Sequence, residues 1–296
     1  MSQASSSLKY ILLAIGAFVW WGLSPIYFKW VQAVPAPELM AQRVAWSLVF
    51  IVLFMLLFKK RFLLREIIST PKLLLSLTLS SALITTNWFL YVWAMSENQV
   101  LATSLGYFIN PLISVFLGIV FLGERLNFKQ GIALILVIVA VINQIWNAGE
   151  LPWLALSLAL SFAFYGLIRK RLKIDSFNGL LFEILLFLPF ALGYLLWLDM
   201  DSKLIFLSQG WAFDLLIIFS GIVTLLPLVL FAASVKGINL STVGFIQYLA
   251  PCISFVLAVF VFDEPFTVEK LTSFIMIWIA LAFISYDAFR RLSRGG

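Results

Sequence analysis

Arg43 is the one basic residue set deep in an apolar run of this sequence, and Glu183, 140 positions later, is its acidic counterpart. A charge at membrane depth is costly, so such residues usually face a bundle interior or a watered path and mark binding or ion transfer. The planar fork of Arg43 suits bidentate contact with a carboxylate or nitro group. The plainer reading is that Arg43, about one turn into its helix, snorkels to the membrane surface. Burial favours the protonated form of a carboxylate, which makes Glu183 a candidate proton carrier. Its plainer reading is a carboxylate hydrogen-bonded to a neighbouring helix. With no histidine and one cysteine, Cys252, the sequence excludes a histidine triad, a histidine metal site, a histidine relay and an internal disulfide. No metal or other cofactor is expected.

Polar and aromatic residues gather around these two charges along the chain. Asn87, Trp88 and Tyr91 form one group, Tyr107 and Asn110 a second, and Tyr165, Gln247 and Tyr248 complete the candidate substrate-binding set. Trp88 and Tyr91 are three apart and share a helix face, which would favour flat amphipathic solutes by stacking. Trp30, Trp146, Trp153 and Trp211 fit interfacial anchoring instead. Pro111 and Pro251 each remove one helical hydrogen bond and free the carbonyls of Tyr107 and Gln247, so both are candidate hinges. A merely structural kink is the plainer reading of either.

The elements that must position these groups are membrane helices. The chain has 296 residues, 63% hydrophobic and 11% charged, against about 25% charged in soluble domains. Its apolar runs are long enough to cross a bilayer as helices. Ten spans are predicted, near 9–29, 38–58, 73–95, 101–122, 129–147, 151–168, 178–198, 211–235, 241–262 and 271–289. The first is expected to be an uncleaved helix rather than a leader. Sixteen lysines and arginines fall in one set of loops, while the opposite loops hold only Lys29, Lys203 and Lys270. Both termini are therefore expected on the cytoplasmic side. The basic loops at 59–72 and 169–173 need no partner beyond orientation and anionic lipid.

The chain also repeats itself. ATSLGYFINPLISVFLGIVFLGER at 102–125 returns as TVGFIQYLAPCISFVLAVFVFDEP at 242–265, pairing Pro111 with Pro251, Ser114 with Ser254 and Glu124 with Glu264. Residues 1–148 and 149–296 therefore read as two five-helix units, the second inverted in the membrane because five is odd. In that arrangement Arg43 and Glu183 lie at opposite depths and do not pair directly. Glu124 and Glu264 close their helices and are expected to favour the start of the helix that follows. Asn110 and Asn87 have apolar mates, Ala250 and Pro227, so a central site would be asymmetric in its polar groups.

Two tandem units, each with a proline-bearing helix ending in Gly-Glu or Asp-Glu, resemble the EamA domains of the drug/metabolite transporter superfamily. SLGYFINPL at 104–112, NWFLYVWA at 87–94, SFAFYGL at 161–167 and the set Trp21, Gly22, Pro25, Tyr27, Phe28 and Lys29 resemble its bacterial RarD subfamily. The resemblance implies an all-α, ten-helix permease of the bacterial inner membrane. RarD-like proteins carry a chloramphenicol-related label, whereas other family members export amino acids or metabolites.

With no Gly-x-x-x-x-Gly-Lys-Ser/Thr motif, the expected function is secondary transport of a small amphipathic solute, with membrane lipid as the surroundings and a monomer as the simplest state. A lipid flippase or a non-transporting membrane partner is the alternative. A membrane enzyme would want a clustered nucleophile and base, and Glu183 stands alone in the sequence. Nucleic acid is not implied.

Overall fold

The computed structural model describes residues 3–96, 100–148, 153–262 and seven single positions between 271 and 282. Among these every regular element is a helix. They are α1 (Gln3–Trp30), α2 (Ala36–Leu57), α3 (Leu64–Ser69), α4 (Pro71–Ser96), α5 (Val100–Leu122), α6 (Phe128–Ala148), α7 (Trp153–Arg171), α8 (Ser176–Met200), α9 (Trp211–Gly237), α10 (Leu240–Gln247) and α11 (Leu249–Phe260). Seven described stretches are long and apolar enough to cross a membrane. One of them, Leu240–Phe260, runs through α10 and α11 together. The described parts of α5 and α6 that qualify as apolar, Gly106–Leu122 and Phe128–Asn143, are shorter. The chain is thus a multi-pass helical membrane protein. Most of the expected span 271–289 lies outside the described residues.

Helix ends follow local chemistry. The Asp175 carboxylate accepts the Asn178 amide at 3.1 Å and caps α8, satisfying one of the donors a helix start leaves open. Asn178 then reaches outward. Its amide donates to the Arg61 carbonyl at 2.9 Å and its oxygen accepts the Leu63 N–H at 2.8 Å, tying the loop before α3 to α8. Short α3 buries only Ile67, against Leu77, Ile174 and Phe182. The basic stretch 59–72 therefore includes an amphipathic turn of helix rather than loop alone.

The prolines act differently from one another. Pro111 sits inside continuous α5. The span predicted over 241–262 is instead divided at Tyr248, and Pro251 is the third residue of α11. Tyr248 nonetheless keeps helical backbone angles, and Pro251 cannot donate to the Gln247 carbonyl one turn back, so the interruption is a kink within one span.

Packing runs mainly across the chain's midpoint. Helix α5 lies against α7 and α10, α4 against α7, α2 against α8 and α9, and α1 against α9 and α11. The main buried cluster accordingly mixes Phe18, Ile51 and Leu117 with Tyr165, Leu181, Phe231 and Leu240. Stacking and edge contacts among Phe18, Trp21, Phe162, Tyr165 and Phe231 fill its centre. Helices of the two halves thus bury one another, and the candidate site draws on α1, α2, α4, α5, α8 and α9.

Candidate functional site

Arg43 lies seven residues into α2, on the side that packs against α9. Its Nε donates to the Thr224 hydroxyl at 2.6 Å, and that hydroxyl donates to the Ser220 carbonyl at 2.9 Å. The guanidinium sits over the Phe28 ring at 5.5 Å and the Trp88 ring at 5.9 Å, both measured to the ring centre. The phenols of Tyr27, Tyr91 and Tyr107 are within electrostatic range of it. No hydrogen bond or ion pair among the described residues reaches its two outer nitrogens, which leaves the fork itself open. Arg43 is half-buried. It does not snorkel freely into water, because Thr224 anchors its stem and two aromatic rings flank its head.

Tyr91 and Tyr107 face each other with ring centres 6.3 Å apart. The Tyr107 side chain is 51% exposed although it stays in range of Arg43. Tyr107 is therefore the exposed edge of the group around Arg43. Phe28, Arg43, Trp88, Tyr91 and Tyr107 thus form a half-open aromatic pocket around one guanidinium. Cation–π attraction of about 0.5–2 kcal/mol per ring helps hold that charge at depth.

Glu183 lies seven residues into α8 and is not alone. Its Oε1 accepts the Ser80 hydroxyl at 2.7 Å and Arg169 Nη1 at 3.4 Å, and its Oε2 accepts the Tyr165 hydroxyl at 3.3 Å. Arg169 is fully buried and Glu183 nearly so. Arg169 Nη2 donates to the Ser176 carbonyl at 3.2 Å, while its Nε has no partner among the described residues. A Cβ at Gly179 would collide with this guanidinium, so the missing side chain makes room for the ion pair.

Arg169 therefore corrects the sequence reading of 169–173 as a lipid-facing basic loop. Two of the other three cations of that run are also engaged with protein. Lys170 donates to the carbonyls of Val235 (3.1 Å) and Ile238 (2.5 Å), and Arg171 donates to the Phe121 carbonyl. The side chains of Arg169, Lys170 and Arg171 thus bond to protein carbonyls and, through Arg169, to a carboxylate.

A narrow cavity of about 20 Å³ lies beside Glu183, lined by Ser47, Ile84, Trp88, Glu183, Thr224 and Leu228 but not by Arg43 itself. That is room for about one water. Arg43 and Glu183 do not touch, in line with their expected separation, yet Thr224 and Trp88 each face Arg43 on one side and the cavity on the other.

The remaining predicted residues fall into two groups. Trp88, Tyr91 and Tyr107 join the Arg43 pocket, and Tyr165 joins Glu183. The others serve helix contacts. Asn87 donates to the Leu158 carbonyl (2.8 Å) and the Ser161 hydroxyl (3.0 Å), pinning α4 to α7. The Tyr248 hydroxyl donates to the Phe108 carbonyl at 2.9 Å from a fully buried position. Asn110 is buried and accepts a 3.5 Å bond from Ser114. Gln247 is buried at the α10–α11 break, its Oε1 unpartnered among the described residues. The structure does not bring Asn87, Asn110, Gln247 or Tyr248 to the cleft.

Glu124 caps a helix start, but not the one expected. Positive φ at Gly123 turns the chain out of α5, and the Glu124 carboxylate then accepts from Leu240 N (2.6 Å), Ser241 N (2.8 Å) and Ser241 Oγ (2.7 Å). It caps α10, far along the chain, rather than α6 next to it. Lys170 lies 3.9 Å from the same carboxylate. Glu264 lies outside the described residues.

Sequence reasoning missed Thr224, Ser80, Tyr27 and Phe28. Thr224 and Ser80 are lone hydroxyls in apolar runs. Such a hydroxyl usually bonds the carbonyl one turn back, so neither carries a signal by itself. Tyr27 and Phe28 stood within the motif that carried the family resemblance, without a role.

Known proteins bear on this arrangement. The sequence profile of the EamA-like transporter family matches residues 8–143 and again residues 152–286. "Protein RarD" of Escherichia coli is 42% identical over 287 residues, 97% of each chain. The "Uncharacterized transporter YojE" of Bacillus subtilis is 40% identical, with 96% of each chain aligned. The "Chloramphenicol-sensitive protein RarD" of Pseudomonas aeruginosa is 30% identical over 96% of each. A chain of known crystal structure superposes with a TM-score of 0.73 at 16% identity, covering 97% of this chain and 99% of that one, a likeness of fold. With two profile matches spanning most of its length, this chain belongs to the EamA-like transporter family.

Proposed function

We propose that this membrane transporter is a secondary active carrier that moves a small amphipathic organic solute by alternating access, with the Arg43 cleft as its binding site. The observation that carries the reading is the open fork of Arg43. A half-buried guanidinium with no carboxylate partner among the described residues is unfavourable in a protein that has nothing to put there. The buried Arg169, by contrast, has Glu183. Phe28, Trp88, Tyr91 and Tyr107 supply the flat apolar walls that an amino acid, metabolite or drug-like compound would use.

The two-fold repeat of the sequence supports a rocking motion of two inverted five-helix units, 1–148 and 149–296, with the solute between them. Lysine and arginine placement supports an inner-membrane orientation with both termini in the cytoplasm. A monomer supplies every group of the cleft. Glu183 is proposed to couple transport to protons, since it lines the cavity that reaches Thr224 and Trp88. Proton loading then requires the Arg169 pair to loosen.

A thermal-shift screen with amino acids, small metabolites and chloramphenicol-like amphiphiles tests the site. A ligand should stabilise the wild type and lose its effect in Arg43→Gln. An equal shift in both proteins removes Arg43 from the site. For coupling, Glu183→Gln should abolish ΔpH-driven uptake and spare counterflow, and full ΔpH-driven uptake in that variant ends the proton role.

One observation favours a second reading, a lipid flippase. A groove of about 340 Å³ opens beside α2 and α8, walled by Trp46, Leu195, Leu196 and Phe206 with Gln42 and Asp199 at its polar edge. Stabilisation by lipids alone, with silence across the soluble panel, would shift the assignment to this groove or to a non-transporting membrane partner.

A further inference from the structure

Resting on the Arg43 cleft as the solute site, we infer that the solute is an organic anion with a flat apolar body and no cationic group, so that the cleft selects against zwitterionic amino acids. Among the described residues, the polar groups that interact with the guanidinium are neutral hydroxyls, from Tyr27, Tyr91, Tyr107 and Thr224. Tyr27 already donates its proton to the Leu216 carbonyl at 3.0 Å, and Thr224 donates to Ser220.

Among the described residues, three carboxylates of the helices around Arg43 make their hydrogen bonds elsewhere, and Glu97 lies outside the described residues. Glu38 on α2 accepts the Ile205 and Phe206 amides through Oε1 at 3.0 and 3.2 Å, with its buried Oε2 unpartnered among the described residues, and Asp214 on α9 accepts the Leu207 amide at 2.8 Å. Glu183 is held by Ser80, Tyr165 and Arg169. A carboxylate placed on the open fork of Arg43 gains two parallel charge-assisted bonds. An α-ammonium lying within a few ångströms of that carboxylate would meet a second cation and no anion among the described residues. Burying it unpaired is unfavourable, and the repulsion from Arg43 adds to the loss.

The walls define the rest of the solute. Phe28 and Trp88 lie over the guanidinium, and the Tyr91–Tyr107 pair opens beside it. An aromatic or planar conjugated acid can set its carboxylate on Arg43 and lay its body along these rings. The amino-acid class and the neutral-drug class both leave part of this arrangement unused. A zwitterion lacks a partner for its ammonium, and a neutral compound leaves the guanidinium without its counter-charge.

Three probes of one skeleton separate these classes by isothermal titration on the purified full chain near neutral pH. They are 3-phenylpropionate, L-phenylalanine and 3-phenylpropan-1-ol. The expected result is binding of 3-phenylpropionate at least about tenfold tighter than either of the others, a difference of about 1.4 kcal/mol. Arg43→Gln should reduce it to the level of the alcohol. Arg43→Lys keeps the charge without the fork and should fall between the two. The ligand-free unfolding midpoint of each variant shows that it is folded.

L-Phenylalanine binding as tightly as the acid, with loss in Arg43→Gln, would overturn the class and leave the Arg43 site standing. Alcohol and acid binding alike in the wild type and in Arg43→Gln would overturn both. Absence of 3-phenylpropionate binding up to about 10 mM, weaker than any specific site of this kind should be, also overturns the class.

Discussion

Replacing Arg169 by Met should destabilise this protein more than any change at its lipid-facing surface. Arg169 is fully buried and Glu183 is 4% exposed, with 3.4 Å between the facing nitrogen and oxygen. Without the guanidinium, Glu183 keeps only the hydroxyls of Ser80 and Tyr165 in a helix-packed interior. Breaking a buried pair by removing one partner costs about 3–5 kcal/mol, most of it from the charge left behind. Membrane-embedded groups find some compensation in the unfolded state too, so the lower figure applies. At roughly 2 °C per kcal/mol for a chain of this size, the unfolding midpoint in detergent should fall by about 6 °C. Glu183→Leu alone should fall comparably, because it strands the guanidinium. The double variant Arg169→Met/Glu183→Leu should recover most of the loss, since an apolar replacement of the whole pair removes both uncompensated charges. Thermal unfolding of the four proteins gives the coupling directly. Single-variant losses that simply add in the double variant would refute the ion-pair account.

Two further outcomes follow from particular contacts. Glu124→Ala removes all three acceptor bonds at the start of α10; at about 1–2 kcal/mol for a lost cap, amide exchange at Leu240 and Ser241 should accelerate by roughly tenfold. Unchanged exchange there would mean that Glu124 does not hold the two chain segments together. Tyr248→Phe loses one buried bond to the Phe108 carbonyl and should cost about 1 kcal/mol of stability while leaving ligand affinity unchanged. A several-fold weaker ligand in that variant would return Tyr248 to the binding site.

The parts of this protein that could be read from sequence are those set by one-dimensional signals. Apolar run length marked seven membrane-crossing helices, and a lone arginine within a run drew attention to the position that aromatic rings surround, because a charge in hydrocarbon has few physical explanations. The pairing of Arg43 with Trp88, Tyr91 and Tyr107 was legible as a polar-aromatic set. What was hidden depended on contacts between distant segments. Arg169 stands in a run of basic residues and has the sequence character of a loop cation, yet the space above Gly179 lets it turn inward to Glu183. Glu124 was legible as a cap, but the helix it caps begins at Leu240, more than a hundred residues away. Tyr248 and Asn87 looked like site residues for the same reason that Tyr107 did, since each is a polar side chain in an apolar helix. Such side chains are as readily used to bond a neighbouring helix as to bind a solute, and only the observed partner separates the two.

Solute counterflow in proteoliposomes tests the central claim most directly. Vesicles holding the wild-type protein, preloaded in turn with unlabelled amino acids, small organic acids and chloramphenicol-like amphiphiles, are given the matching labelled tracer outside. The account predicts that at least one of these solutes accumulates transiently in wild-type vesicles, and that Arg43→Gln vesicles do not accumulate it. Exchange no faster than in protein-free vesicles across the whole panel, or equal exchange by Arg43→Gln, would contradict a solute carrier built on the Arg43 cleft.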